Sequence, residues 1–83
     1  MPARVRVLLF ARLREICGTG EIELPFVEAA TPAECFDRLV ELHGGIAGVR
    51  ESVMVAVNSQ YAGWNDRLAT GDEVAFIPPV SGG

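Results

Sequence analysis

The sequence contains no lysine; all seven of its basic side chains are arginine. It therefore has no side-chain amine for a Schiff base, for the phosphate contact of a P-loop, or for accepting an isopeptide bond. Histidine is almost as scarce, with His43 alone, and the two cysteines, Cys17 and Cys35, stand eighteen residues apart without forming a CxxC. Those spacings exclude the usual zinc sites. No serine is set with a histidine and a carboxylate in an order that suggests a catalytic triad. Long apolar runs are missing too. Residues 7–11 make a run of five, too short for the apolar region of a signal peptide and far too short to cross a bilayer. The cytoplasm is the expected location, with no membrane association.

Positive charge is in deficit. Eleven carboxylates against seven arginines leave a net charge of −4, which argues against nucleic acid as a partner, because phosphate neutralisation needs a basic face. Acidity favours encounter with a basic surface but says nothing about fold. What the chain has in quantity is apolar side chain, 49% of 83 residues. A domain this short buries only about 60–65% of its unfolded surface. That composition still suffices for one core without metal or disulfide support, and there is room for one core only.

Periodicity divides the chain into short elements. Arg4-Val5-Arg6-Val7-Leu8-Leu9-Phe10 alternates as a strand, with Val5, Val7 and Leu9 on one face and Leu8 and Phe10 on the other. A short helix is predicted over residues 12–17, closed by Gly18. Glu21-Ile22-Glu23-Leu24-Pro25-Phe26 alternates again, and Pro25, lacking an N–H, marks an edge strand. Thr31-Pro32-Ala33-Glu34 has the form of a capping box with proline at the first helical position. The helix it opens carries Phe36, Leu39, Val40 and His43 at helical spacing and stops at Gly44-Gly45. Val53, Val55 and Val57 mark a third strand, followed by an Asn58-Ser59-Gln60 turn and by Tyr61 and Trp64 in a loop that lids the core. After a turn at Thr70-Gly71-Asp72, residues 73–77 form the last strand, with Val74 and Phe76 inward and Ala75 and Ile77 outward. Two strands, a helix and further strands give an α+β fold with the helix on one face of the sheet.

Several features have bland readings that outweigh functional ones. Gly44-Gly45-Ile46-Ala47-Gly48 is glycine-rich, but it follows a helix and lacks lysine, so it is not a phosphate loop. Cys17 and Cys35 are read as small buried hydrophobes. His43 is read as a packing or dipole-complementing residue of the last helical turn.

The tail is different in kind. Pro78 and Pro79 stiffen its root in an extended form, and Gly82 and Gly83 end it without side chains. Residues 1–77 are thus expected to form the domain and 78–83 an extended, flexible tail reaching roughly 20 Å. A terminal carboxylate on such a stalk enters a narrow channel and is attacked without side-chain hindrance once joined to a better leaving group.

Read together, four stretches resemble the sulfur-carrier family that includes the small subunit of molybdopterin synthase and the thiazole-synthesis carrier (MoaD/ThiS). They are Val7-Leu8-Leu9-Phe10-Ala11 with Arg14-Glu15 and Gly18; Ala56-Val57-Asn58; Leu68 with Gly71-Asp72-Glu73-Val74-Ala75-Phe76; and Pro78-Pro79-Val80-Ser81-Gly82-Gly83. The resemblance runs end to end. It implies a ubiquitin-like β-grasp fold, a mixed sheet with its first and last strands parallel at the centre. It also implies that a ubiquitin-activating-like adenylyltransferase joins the Gly83 carboxylate to AMP, using ATP. A cysteine desulfurase or rhodanese-type protein then supplies sulfur to make the thiocarboxylate. The tail, Pro79, Val80, Ser81 and Gly82, enters the large synthase subunit, in a heterotetramer of two small and two large subunits. There the sulfur passes to cyclic pyranopterin monophosphate. The chain binds no cofactor and contributes no catalytic side chain. Leu8, Phe10, Ala75 and Ile77, with Arg14 at the rim, form the partner interface. A thiazole carrier and a ubiquitin-like protein modifier are the alternatives; the double proline and the length favour molybdopterin synthesis.

Overall fold

The computed structural model describes residues 3–79, apart from the side chain of Glu28. Five strands form one mixed sheet in the order β2-β1-β5-β3-β4. They are β1 (Arg4–Leu9), β2 (Glu21–Pro25), β3 (Met54–Val57), β4 (Gln60–Ala62) and β5 (Glu73–Ile77). The central pair β1 and β5 is parallel, with Leu8 opposite Ala75 and Leu9 opposite Phe76. β2 runs antiparallel to β1 at one edge, where Pro25, its last residue, removes no ladder bond from a central strand. The ubiquitin-like α+β arrangement expected from the sequence is the one found.

Two α-helices are present among the described residues, α1 (Ala11–Cys17) and α2 (Pro32–Leu42), and neither is long and apolar enough to cross a membrane. At the start of α2, Thr31 Oγ1 accepts from the Glu34 N–H at 3.1 Å, as a capping box requires. The reciprocal bond is displaced by one residue: Glu34 Oε1 accepts from the N–H of Ala30, at 3.0 Å, instead of that of Thr31. Gly18 closes α1 in the left-handed conformation, φ 74°, donating to the Arg14 carbonyl.

The core lies between the helices and one sheet face. Val5, Val7 and Leu9 of β1 and Val74 and Phe76 of β5 are buried there, against Phe36 and Leu39 of α2 and Leu13 of α1. Phe36 meets Phe76 edge-on with ring centroids 5.3 Å apart, and Trp64 stacks on Phe76 at 5.7 Å. Trp64 is therefore the lid that the sequence suggests, held from outside by Arg50, whose guanidinium stands 4.6 Å above its ring. Cys17 and Cys35 are buried free thiols. Burial, then the nearby Glu34 charge, pushes the Cys35 thiol up to about 12, and burial raises that of Cys17.

Three local readings need correction. Tyr61 is not in the lid loop; it sits in β4, opposite Ala56 of β3, with 75% of its surface exposed. The turn before it is two residues, Asn58 and Ser59, both at positive φ (50° and 70°), so Gln60 already belongs to the strand. A two-residue turn of that hand matches the strand twist and returns the chain directly into a hairpin. Lastly, α2 ends at Leu42, so His43 is its C-cap and not a residue of its last turn. A 3₁₀ stretch, Gly44–Ser52, follows and packs against α2, burying Ile46.

Candidate functional site: the open sheet face and the tail root

The second face of the sheet carries no helix, and strand alternation decides what stands on it. Leu8, Ala75 and Ile77 are half-buried there, while Phe10 is 45% exposed beyond the end of β1. Because Leu8 pairs with Ala75, and Ala75 with Ala56, these side chains fall side by side across three strands. Together with Tyr61, Ser59 and Glu73 they line one shallow depression of about 300 Å³. The four apolar residues that the sequence places together are together in the structure. Met54, paired with Ile77 and 50% exposed, extends the apolar area.

The opposite end of the same face is charged. Arg6, central on β1, donates to Glu21 Oε2 of β2 at 2.9 Å and to Glu73 Oε2 of β5 at 3.2 Å. Arg4 pairs more loosely with Glu23 at 3.7 Å. The face is thus zoned: ion pairs cross the starts of β1 and β5, and apolar side chains cross their ends, where the tail leaves the sheet. Exposed pairs of this kind contribute little to stability. A contiguous apolar patch is the feature that marks an interface.

Phe10 and Ile77 are shared with a second depression, of about 670 Å³, at the tail root itself. Ala11, Arg12, Glu15, Val49, Ser52, Pro78 and Pro79 complete its lining. Sequence reasoning missed Val49 and Ser52, because the 3₁₀ stretch that brings them to the tail has no periodic signal. It missed Arg12 and Glu15 by attending to Arg14. That residue lines neither depression; its side chain crosses Gly20, where an added Cβ would stand 3.4 Å from Arg14 Nε. Arg14 is therefore not the rim residue of the apolar face, since the α1 turn carries it away toward β2.

Two segments that carry the family resemblance, read from the sequence as turns, are tied to each other. Asn58 Nδ2 donates to Asp72 Oδ1 at 3.0 Å, while Asn58 Oδ1 accepts from the Glu73 N–H at 3.0 Å. Asp72 Oδ2 accepts from the Ala69 N–H at 2.8 Å. These bonds tie the β3–β4 turn to the start of β5. The Ala69 N–H, then the Asn58 amide, hold the Asp72 carboxyl below its ordinary value.

Among the described residues no group of histidine, cysteine and acidic side chains is placed to hold a metal. Val80, Ser81, Gly82 and Gly83, the outer part of the expected tail, lie outside the described residues.

The chain belongs to the ThiS family, which it matches over residues 7–83. It is 38% identical over 79 residues to the molybdopterin synthase sulfur carrier subunit of Arabidopsis thaliana, a match covering 95% of this chain and 82% of that one. Among solved structures it is similar to SAMP1, a small archaeal modifier protein of Haloferax volcanii. That match has a TM-score of 0.83 and 31% identity, over 96% of this chain and 99% of that one. It is similar also to a putative molybdopterin converting factor subunit 1 from Pyrococcus furiosus, with a TM-score of 0.81, 29% identity, and 94% and 99% coverage.

Proposed function

We propose that this chain is the sulfur carrier subunit of a molybdopterin synthase and that its working group is the carboxylate of Gly83. The observation that carries the reading is its identity, along almost its whole length, with a relative bearing that name. In this reading a ubiquitin-activating-like adenylyltransferase uses ATP to adenylate Gly83. A persulfide supplied by a cysteine desulfurase or rhodanese-type protein displaces AMP to give an acyl disulfide, and a thiol then cleaves its S–S bond, leaving the thiocarboxylate and a disulfide. That group then donates its sulfur to cyclic pyranopterin monophosphate in the large synthase subunit. The chain is a part of the enzyme and supplies no acid, base or nucleophile from its side chains. The raised, buried thiols of Cys17 and Cys35 support this, because only an accessible thiolate carries sulfur.

In this reading the carrier has two working parts, the tail and a docking patch. β5, central in the sheet and paired on both sides, runs directly into Pro78 and Pro79, where the tail starts. The apolar end of the open face, Leu8, Phe10, Ala75 and Ile77, lies beside that root and docks the partners that receive the tail. Burying Phe10 and Ile77 contributes roughly 1.5–3 kcal/mol each before the costs of association.

A second reading, a protein modifier, is favoured by the likeness to SAMP1. Both readings begin with adenylation and differ in the acceptor. The experiment is sulfur loading and transfer in the presence of the activating enzyme, a sulfur donor and the large subunit, followed by mass spectrometry. The intact chain is expected to gain the mass of one oxygen replaced by sulfur and to release that sulfur to the pterin. Deleting Gly83, or extending the chain past it, abolishes transfer without changing the melting curve. Normal transfer by the deleted chain would remove the central claim, and amide conjugates without pterin product would favour the modifier.

A further inference from the structure

An activated acyl group is attacked by whatever nucleophile is nearest, and a protein normally carries many. This chain has no lysine among its 83 residues, and all seven cations are arginines, which stay protonated and do not accept acyl groups. Its remaining side chains that form lasting acyl products are chiefly two thiols, and both are closed off; His43 forms only an acyl-imidazole, which water cleaves. Cys35 is 0% and Cys17 8% exposed, on the core side of the sheet, away from the open face that meets the tail. Aliphatic hydroxyls do not compete without an activating base. Near the tail the surroundings are inert as well: the depression at its root is lined by Arg12, Glu15, Ser52 and apolar side chains.

We infer that the chain is built as an acyl donor that no side chain of its own accepts from, so that no side-chain-linked product drains the activated carboxyl before sulfur reaches it. The four residues beyond Pro79 span at most roughly 14 Å, so groups around the depression are within reach of Gly83. A nucleophile placed there would capture the acyl group. A thiolate would add to the carbonyl carbon and form a new C–S bond, while the original leaving group departs with its electron pair and takes up a proton. An amine would form an amide in the same way, releasing its proton to solvent. Burial reinforces the exclusion: it pushes the Cys35 thiol up to about 12, so the thiol stays protonated at neutral pH.

The inference rests on Gly83 being activated, as proposed above. Its test supplies the activation chemically, so the result does not depend on which enzyme acts on the chain. The full chain is prepared as an alkyl thioester of Gly83 and kept at mildly alkaline pH while released alkylthiol and protein mass are followed. With the N-terminal amine acetylated in every sample, the parent is expected to hydrolyse only. Ser52→Cys should release alkylthiol at least about tenfold faster, through exchange with the new thiol. Arg12→Lys should give a cyclic amide lighter than the free acid by one water. Thioester exchange onto Cys17 or Cys35 in the parent, at the rate seen with Ser52→Cys, would overturn the inference. Failure of both variants to react faster than the parent would overturn it too, because exclusion of nucleophiles would then not be what protects the carboxyl.

Discussion

Along β5, Val74 and Phe76 are fully buried against the helices, whereas Ala75 and Ile77, each one residue away, are half-exposed on the open face. The same division runs along β1, where Val5, Val7 and Leu9 are buried and Leu8 is not. Two central strands therefore present one surface that holds the domain together and another that is free to meet a partner. The core face is apolar from end to end. The open face is split, with Arg6 bridging Glu21 and Glu73 at one end and the apolar patch at the other. In an 83-residue domain with one core, this is the economical arrangement. Stability is spent on one face, and the other is left thin enough to be docked without disturbing it.

The comparison breaks most visibly at Phe76. Its ring makes contact with both Phe36 and Trp64, so Phe76→Ala should lower unfolding free energy by about 3–5 kcal/mol in a urea titration. A loss under about 1 kcal/mol would mean the aromatic cluster does not hold the core. One residue further on, Ile77→Arg, like Phe10→Arg, should leave the melting temperature nearly unchanged. Each should weaken binding to the activating enzyme and the large subunit by roughly tenfold or more, read by titration calorimetry. Intact affinity, or a collapsed melting temperature, would show that the two faces do not divide as described.

Ala11 sharpens the boundary between the faces. It follows Phe10 at φ 49°, in the left-handed region, where the chain turns from the end of β1 into α1. Relief of that strain by Ala11→Gly, less the added freedom of the unfolded chain, should stabilise by about 1 kcal/mol. An unfolding curve that moves the other way would remove strain as the explanation.

The smallest effect belongs to Asp72, on the turn that starts β5. Its folded pKa lies below the ordinary 3.8, chiefly through the Ala69 N–H and then Asn58, so the folded state binds this proton less readily than the unfolded chain. Its contribution is therefore complete above about pH 4 and is lost as pH falls through the lower folded value. Asp72→Asn should be less stable than the parent at neutral pH, with the difference shrinking in acid. A constant difference across the acid limb would assign the effect to something other than ionisation.

Alternation made the faces of β1 and β5 legible before any coordinates, because a period of two leaves no choice once one face is apolar. Capping chemistry did the same for α2: Thr31 accepts from an N–H that any helix start leaves open, and Pro32 has none to leave open. The resemblance of the Asn58 and Gly71-Asp72-Glu73 segments was visible, but their work was not. The bonds among Asn58, Asp72 and Glu73 close only when the turn and β5 become neighbours, fourteen and fifteen residues apart in sequence.

Arg14 and Tyr61 were misplaced for a related reason. Where a surface side chain points depends on the last turn of a seven-residue helix, or on a hairpin one residue tighter than the sequence suggests. Neither leaves a periodic trace. The tail-root depression is the clearest case. Phe10 and Arg12, Val49 and Ser52, and Pro79 come from three separate segments, and only chain packing gives them a common wall. What the sequence by itself determined is local or periodic: strand faces, the helix start, the absence of lysine, and the proline-glycine tail. Which of those segments lie beside one another was decided by the tertiary structure, because long-range adjacency is set by filling one core and not by any residue's own preference.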